Sequence, residues 1–143
     1  MTRRMLTALL ALVGLFVAMY LALYKAGVIG TLACSTGGCE AVQLSRWSML
    51  LGMPVANWGV LFYAAVFTLA FAATTDRWGT VPAVALGLLL LTGWGVLFSA
   101  WLTYLELFVI RSICRYCVVS ACIALLLFTL ALVDWRTTRP PRI

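Results

Sequence analysis

Four of the five cysteines in this chain of 143 residues fall into two close pairs, Cys34/Cys39 and Cys114/Cys117, and the chain has no histidine. A pair of nearby thiols can open and close a disulfide, and two such pairs can exchange electrons by thiolate attack through a mixed disulfide. Cys114-Arg115-Tyr116-Cys117 opens a long apolar segment, so it is expected in the first turn of a helix, where a spacing of three puts both sulfurs on one face. The unpaired amides of that turn, with Arg111 and Arg115 close in sequence, supply the electropositive setting in which a thiol reacts as its thiolate. The other pair flanks Ser35-Thr36-Gly37-Gly38. Adjacent glycines open backbone conformations closed to other residues, so Cys39 is free to swing relative to Cys34. The reading is one fixed pair and one mobile pair. Cys122, five positions beyond Cys117 and inside an apolar run, is turned off that face and reads as an inert packing residue.

Whether the pairs can meet depends on the elements that carry them. The chain is 65% apolar and 10% charged, far from the roughly 45–50% apolar and 25% charged of soluble domains. Four segments, Met5–Tyr24, Val55–Thr75, Val81–Tyr104 and Cys117–Val133, approach the roughly 20 apolar residues needed to cross about 30 Å of hydrocarbon. The first follows Arg3 and Arg4, is too long for a signal peptide and lacks a small-residue cleavage site, so it reads as an uncleaved anchor. The expected fold class is therefore all-α integral membrane, a four-transmembrane-helix bundle forming a single domain over residues 1–143. Arg3, Arg4, Arg77, Arg136, Arg139 and Arg142 fall on one face, and Lys25, Arg46, Arg111 and Arg115 on the other. That bias places both termini in the cytoplasm. Both cysteine pairs then share the exoplasmic side of a bacterial inner membrane, where thiols end as disulfides.

Nothing in the chain binds a soluble electron acceptor. There is no dinucleotide fingerprint and no phosphate loop, and the lack of histidine removes the common haem ligand. A lipid-dissolved quinone remains. No nucleic-acid role and no resident metal are expected. The rival from a different class is a membrane protein holding tetrahedral zinc on the four thiolates; an oxidising compartment and the flexible double glycine weigh against it.

Further residues carry a resemblance. After Cys34 and Cys39 come Ser45-Arg46-Trp47, Gly52-Met53-Pro54, Asn57-Trp58-Gly59 and Phe62-Tyr63. Ala100-Trp101 and Tyr104-Leu105-Glu106-Leu107-Phe108-Val109-Ile110 then lead into Cys114-Arg115-Tyr116-Cys117. In this order the chain, from about Leu9 to Val133, resembles the vitamin K epoxide reductase family, in particular its bacterial homologues. The resemblance implies a four-helix bundle around a quinone with the thiol pairs at its outer mouth. Cys117 would then react with the quinone, Cys114 would exchange with Cys39, and Cys34 would meet an outside partner. It also places the Glu40–Leu51 segment, read as a short exoplasmic surface helix between helices 1 and 2, over the quinone pocket. Val42, Leu44, Trp47, Leu50 and Leu51 share its broad apolar face.

Trp47, Asn57, Trp58, Phe62 and Tyr63 are the candidate quinone-binding residues, an aromatic wall with one amide donor. Their bland alternative is an aromatic belt at the membrane surface. Glu106, the acidic residue near the end of the third span, reads as an interfacial group, with proton handling as its other role. Two positions depart from the animal enzymes of the family, whose reductase pocket has tyrosine where this chain has Ala121 and asparagine where it has Val55. Both departures weaken vitamin K epoxide as the substrate and leave simple quinone reduction intact.

The expected function is thus a quinone-dependent thiol-disulfide oxidoreductase. Electrons would pass from a thioredoxin-fold partner through Cys34/Cys39 to Cys114/Cys117 and on to menaquinone or ubiquinone, in support of disulfide formation. Reduction of vitamin K or its epoxide by the same relay is the alternative. Another type of four-span sulfhydryl oxidase places its C-x-x-C in the first outer loop, and the cysteine order here argues against it. The short basic tail Arg139-Pro140-Pro141-Arg142-Ile143 suggests no fused thioredoxin-like domain, hence a separate exoplasmic partner, and a monomer suffices to hold the relay.

Overall fold

Leucine, alanine and valine dominate the apolar segments, and in hydrocarbon such stretches must satisfy their backbone polar groups internally, which favours helices. A computed structural model of the protein describes residues 3–25, 49–75, 77, 81–111 and 115–138. Helices α1 (Arg3–Lys25), α2 (Val55–Ala73), α3 (Pro82–Tyr104) and α4 (Arg115–Thr138) account for most of them. α3 runs directly into a π-helical segment, Leu105–Ile110, that ends at Arg111 in the left-handed conformation, φ 58°. All four helices are long and apolar enough to cross a membrane, by length and composition. The third span, Pro82–Val109, covers 28 residues against the expected Val81–Tyr104, and at ~1.5 Å per residue it outreaches a bilayer core. Pro82 suits the first position of α3, where its missing N–H costs no hydrogen bond.

The surface-helix expectation needs correction at its C-terminal end. Met49–Leu50 (β1) and Met53–Pro54 (β2) pair as an antiparallel hairpin, Met49 opposite Pro54 and Leu50 opposite Met53. Leu51 and Gly52 form the connecting turn at φ 53° and 79°, the doubly left-handed geometry that matches the twist of paired strands. The physical reason is local: Pro54 drives Met53 out of the helical region, and Gly52 accepts positive φ without strain. Glu40–Ser48, the rest of that expected helix and including Trp47, lies outside the described residues, as do Cys34, Gly37, Gly38 and Cys39 before it.

The helices close into a ring in which α1 packs on α2 and α4, and α3 packs on α4 and α2. α1 and α2 approach closely through small residues. A Cβ added at Gly59 would sit 3.4 Å from Ala18 Cβ, and one added at Gly14 would collide with the Tyr63 ring. Such contacts are how helices associate where lipid removes the hydrophobic drive between them. Ala11, Tyr63, Val66, Ala70, Leu88, Leu127 and Ala131 form the core, while Phe16, Phe71, Leu90, Leu97 and Phe108 point outward. At the end of the bundle where α1 begins and α4 ends, Arg4 Nε lies 3.1 and 3.2 Å from the two Asp134 carboxylate oxygens, and Arg4 Nη1 donates to the Ala73 carbonyl at 2.9 Å. Three helices are tied there by one guanidinium.

Candidate active site

Cys117 sits in the first turn of α4, half-buried, as its position at the start of an apolar run predicts. It packs with Tyr20, Tyr24 and Tyr116 around the buried Leu21 and Ala56, and the Tyr20 and Tyr116 rings meet at 5.2 Å. One helical turn further along, Ser120 shares the Cys117 face. The Tyr63 hydroxyl donates to the Ser120 carbonyl at 2.8 Å and shares a second hydrogen bond, 2.7 Å, with the Ser120 hydroxyl. This contact fixes the register between α2 and the turn of α4 that carries Cys117. Phe62 meets the Tyr63 ring edge-on at 5.0 Å, and Gly95 on α3 leaves room for the Phe62 ring, with which any Cβ there would collide.

These contacts frame a cavity of about 450 Å³ inside the cysteine end of the bundle. Its wall is built by Val17, Ala18 and Leu21 of α1, by Val55, Trp58, Phe62 and Tyr63 of α2, and by Leu91, Trp94 and Phe98 of α3. Leu51, at the hairpin turn, also contributes, though it is 86% exposed. Ser99, Thr103, Glu106, Cys117 and Ser120 supply polar or reactive atoms to the same wall. A mostly apolar pocket of this size with a few convergent polar groups is the usual form of a small-molecule site.

The structure therefore brings together four of the residues singled out from the sequence: Trp58, Phe62, Tyr63 and Cys117. Asn57 is half-buried and is not among the residues lining the cavity. Trp47, Cys34, Cys39 and Cys114 lie outside the described residues, so the meeting of the two thiol pairs does too. Cys122 is off the Cys117 face as its spacing predicts, but it is exposed on the outer face of α4 where a packing residue is expected. Glu106, read from sequence as a group near the end of the third span, is 4% exposed and faces the cavity. The reason is helical phase, since Leu88, Thr92, Gly95, Ser99, Thr103 and Glu106 follow one another at spacings of three or four along one inward stripe. That spacing, and the spacing of three from Cys117 to Ser120, are the signals that would have found Ser99, Thr103 and Ser120 and turned Glu106 toward them.

The model of the vitamin K epoxide reductase family matches residues 5–132, through all four helices. The chain belongs to this family. Its members are helical membrane oxidoreductases of thiols and quinones, which agrees with a cysteine set in the wall of an apolar cavity. Of the two departures from the animal enzymes, Val55 is part of the cavity wall, while Ala121 is half-buried on α4 and is not among the lining residues.

Proposed function

We propose that this protein oxidises a thiol partner and reduces a quinone, with electrons running from Cys34/Cys39 to Cys114/Cys117 and then to a quinone ring held in the cavity. The observation that carries this reading is Cys117 in the wall of the same cavity that Trp58 and Phe62 line. A quinone ring is flat, apolar and carries carbonyl acceptors. Stacking on aromatic faces suits the ring, and the Ser99 hydroxyl suits a carbonyl. Val55 offers the cavity no amide, which favours quinone over vitamin K epoxide. Menaquinone and ubiquinone both fit this chemistry. The donor is a thioredoxin-fold protein on the exoplasmic side of a bacterial inner membrane, with both termini in the cytoplasm, and the net outcome is disulfide formation in that partner.

The test is quinone reduction by purified protein driven either by a reduced thioredoxin-fold partner or by a small dithiol. Cys117→Ala is expected to abolish both reactions. Cys34→Ala is expected to fail with the protein partner and to retain turnover with the small dithiol. Equal activity of the native chain and both variants would exclude the cysteines as the electron path.

A further inference from the structure

Among the described residues, Glu106 is the one carboxyl in the cavity wall, and Asp134 is engaged by Arg4 at the opposite end of the bundle. A carboxyl only 4% exposed in a cavity wall near the end of a membrane-spanning helix is a functional position by default. It is carried on the π-helical segment, a local winding that recurs at functional positions. The same wall contains Cys117 and the hydroxyls of Tyr63, Ser99, Thr103 and Ser120; the Tyr63 hydroxyl is engaged by Ser120 and that of Thr103 by the Ser99 carbonyl.

We propose that Glu106 carries protons between the thiol pair and a quinone substrate in the cavity, an inference that rests on the function proposed above. In the overall reaction two S–H bonds break, one S–S bond forms, and two electrons and two protons reach the two quinone oxygens to give hydroquinone. The electrons leave through the Cys117 sulfur. Protonated Glu106 donates to a quinone oxygen as negative charge develops there, and it recovers the proton that the dithiol releases. The second proton, freed as the S–S bond closes, passes to water at the mouth of the cavity, from which the other quinone oxygen takes its own. No other oxidant or reductant is needed. Glu106 thereby acts as general acid at one oxygen and as the base that clears the dithiol proton, and such positioned transfer contributes typically ~10²–10⁴-fold in rate.

The experiment uses full-length protein in lipid nanodiscs with dithiothreitol as donor and a short-chain ubiquinone as acceptor. Glu106→Gln preserves shape and is expected to lower kcat by about 100-fold or more while the KM for quinone stays within about two-fold. Glu106→Ala is expected to be equally slow and to regain turnover as formate is added, a response that a merely structural role would not give. Native-like turnover of Glu106→Gln, or slow variants indifferent to formate, would overturn the proposal. A native protein that reduces no quinone sinks the function itself; a native protein that turns over alongside an unimpaired Glu106→Gln sinks only this inference. If the variants do not fold, infrared difference spectra of native protein between its oxidised and reduced states decide the matter. A deuterium-sensitive band of a protonated carboxyl is expected, and its absence overturns the assignment.

Discussion

The Tyr63 hydroxyl binds both the carbonyl and the hydroxyl of Ser120, one turn beyond Cys117, so a single phenol sets where the reactive sulfur stands relative to the aromatic wall. Tyr63→Phe keeps the ring against Gly14 and removes only those two bonds. It is expected to lower stability by about 1 kcal/mol, read in thermal melts, and to slow quinone reduction more than that loss of folded protein explains. Residue types explain what was legible at this scale. Cysteine at the head of an apolar run and aromatic residues one and two turns into the next span announce themselves by chemistry, and Cys117, Trp58, Phe62 and Tyr63 all reach the cavity. Ser99, Thr103 and Ser120 are ordinary residues in membrane helices and gain meaning only from the face they occupy. Asn57 shows the converse, because an amide next to Trp58 in sequence points elsewhere once the helix is wound.

Helix pairs differ in how tightly they tolerate added volume. Gly14 on α1 faces a Tyr63 ring that is 2% exposed and tethered by its hydroxyl, whereas Gly95 on α3 faces a Phe62 ring that borders open cavity. Gly14→Ala must either break the tether or separate α1 from α2. Gly95→Ala can be absorbed by a swing of Phe62 into the cavity. The first is therefore expected to cost more of the roughly 1–3 kcal/mol typical of overpacking, and the second to raise the KM for quinone several-fold with a smaller change in melting temperature. The four spans were legible because hydrocarbon imposes a length and an apolar composition on any helix that crosses it. The hairpin at Met49–Pro54 was not, since its Leu50 and Leu51 fit an amphipathic stripe until the Gly52 and Pro54 backbone constraints are weighed against it. The π-helical continuation of α3 left no compositional trace: Leu107, Phe108 and Val109 are apolar and suit either winding.

Across the whole molecule the two ends of the bundle are built differently. At the end where α1 begins and α4 ends, Arg4 joins α1 to Asp134 of α4 and to the last residue of α2, and Arg3 adds a 3.0 Å bond to Thr137. Removing one partner of such a pair strands the other, at a cost approaching the roughly 3–5 kcal/mol seen for buried pairs and reduced here because arginine at a helix end can reach toward water. Asp134→Leu is accordingly expected to lower the melting temperature while kcat with a small dithiol is unchanged, and Arg4→Met added to it is expected to recover part of the loss. At the cysteine end the helices part around the cavity instead. Between the two lies a dry layer of Val66, Ala70, Leu88, Leu127 and Ala131, each at most 2% exposed, with no ionisable side chain among them. That layer acts as an electrical insulator. If the relay works as proposed, both the electrons and the protons of quinone reduction enter from the cysteine side, and no charge crosses the low-dielectric core. Turnover would then be electrically silent, neither driven by the membrane voltage nor opposed by it, and disulfide formation could continue unchanged in a cell whose membrane is fully energised or collapsed.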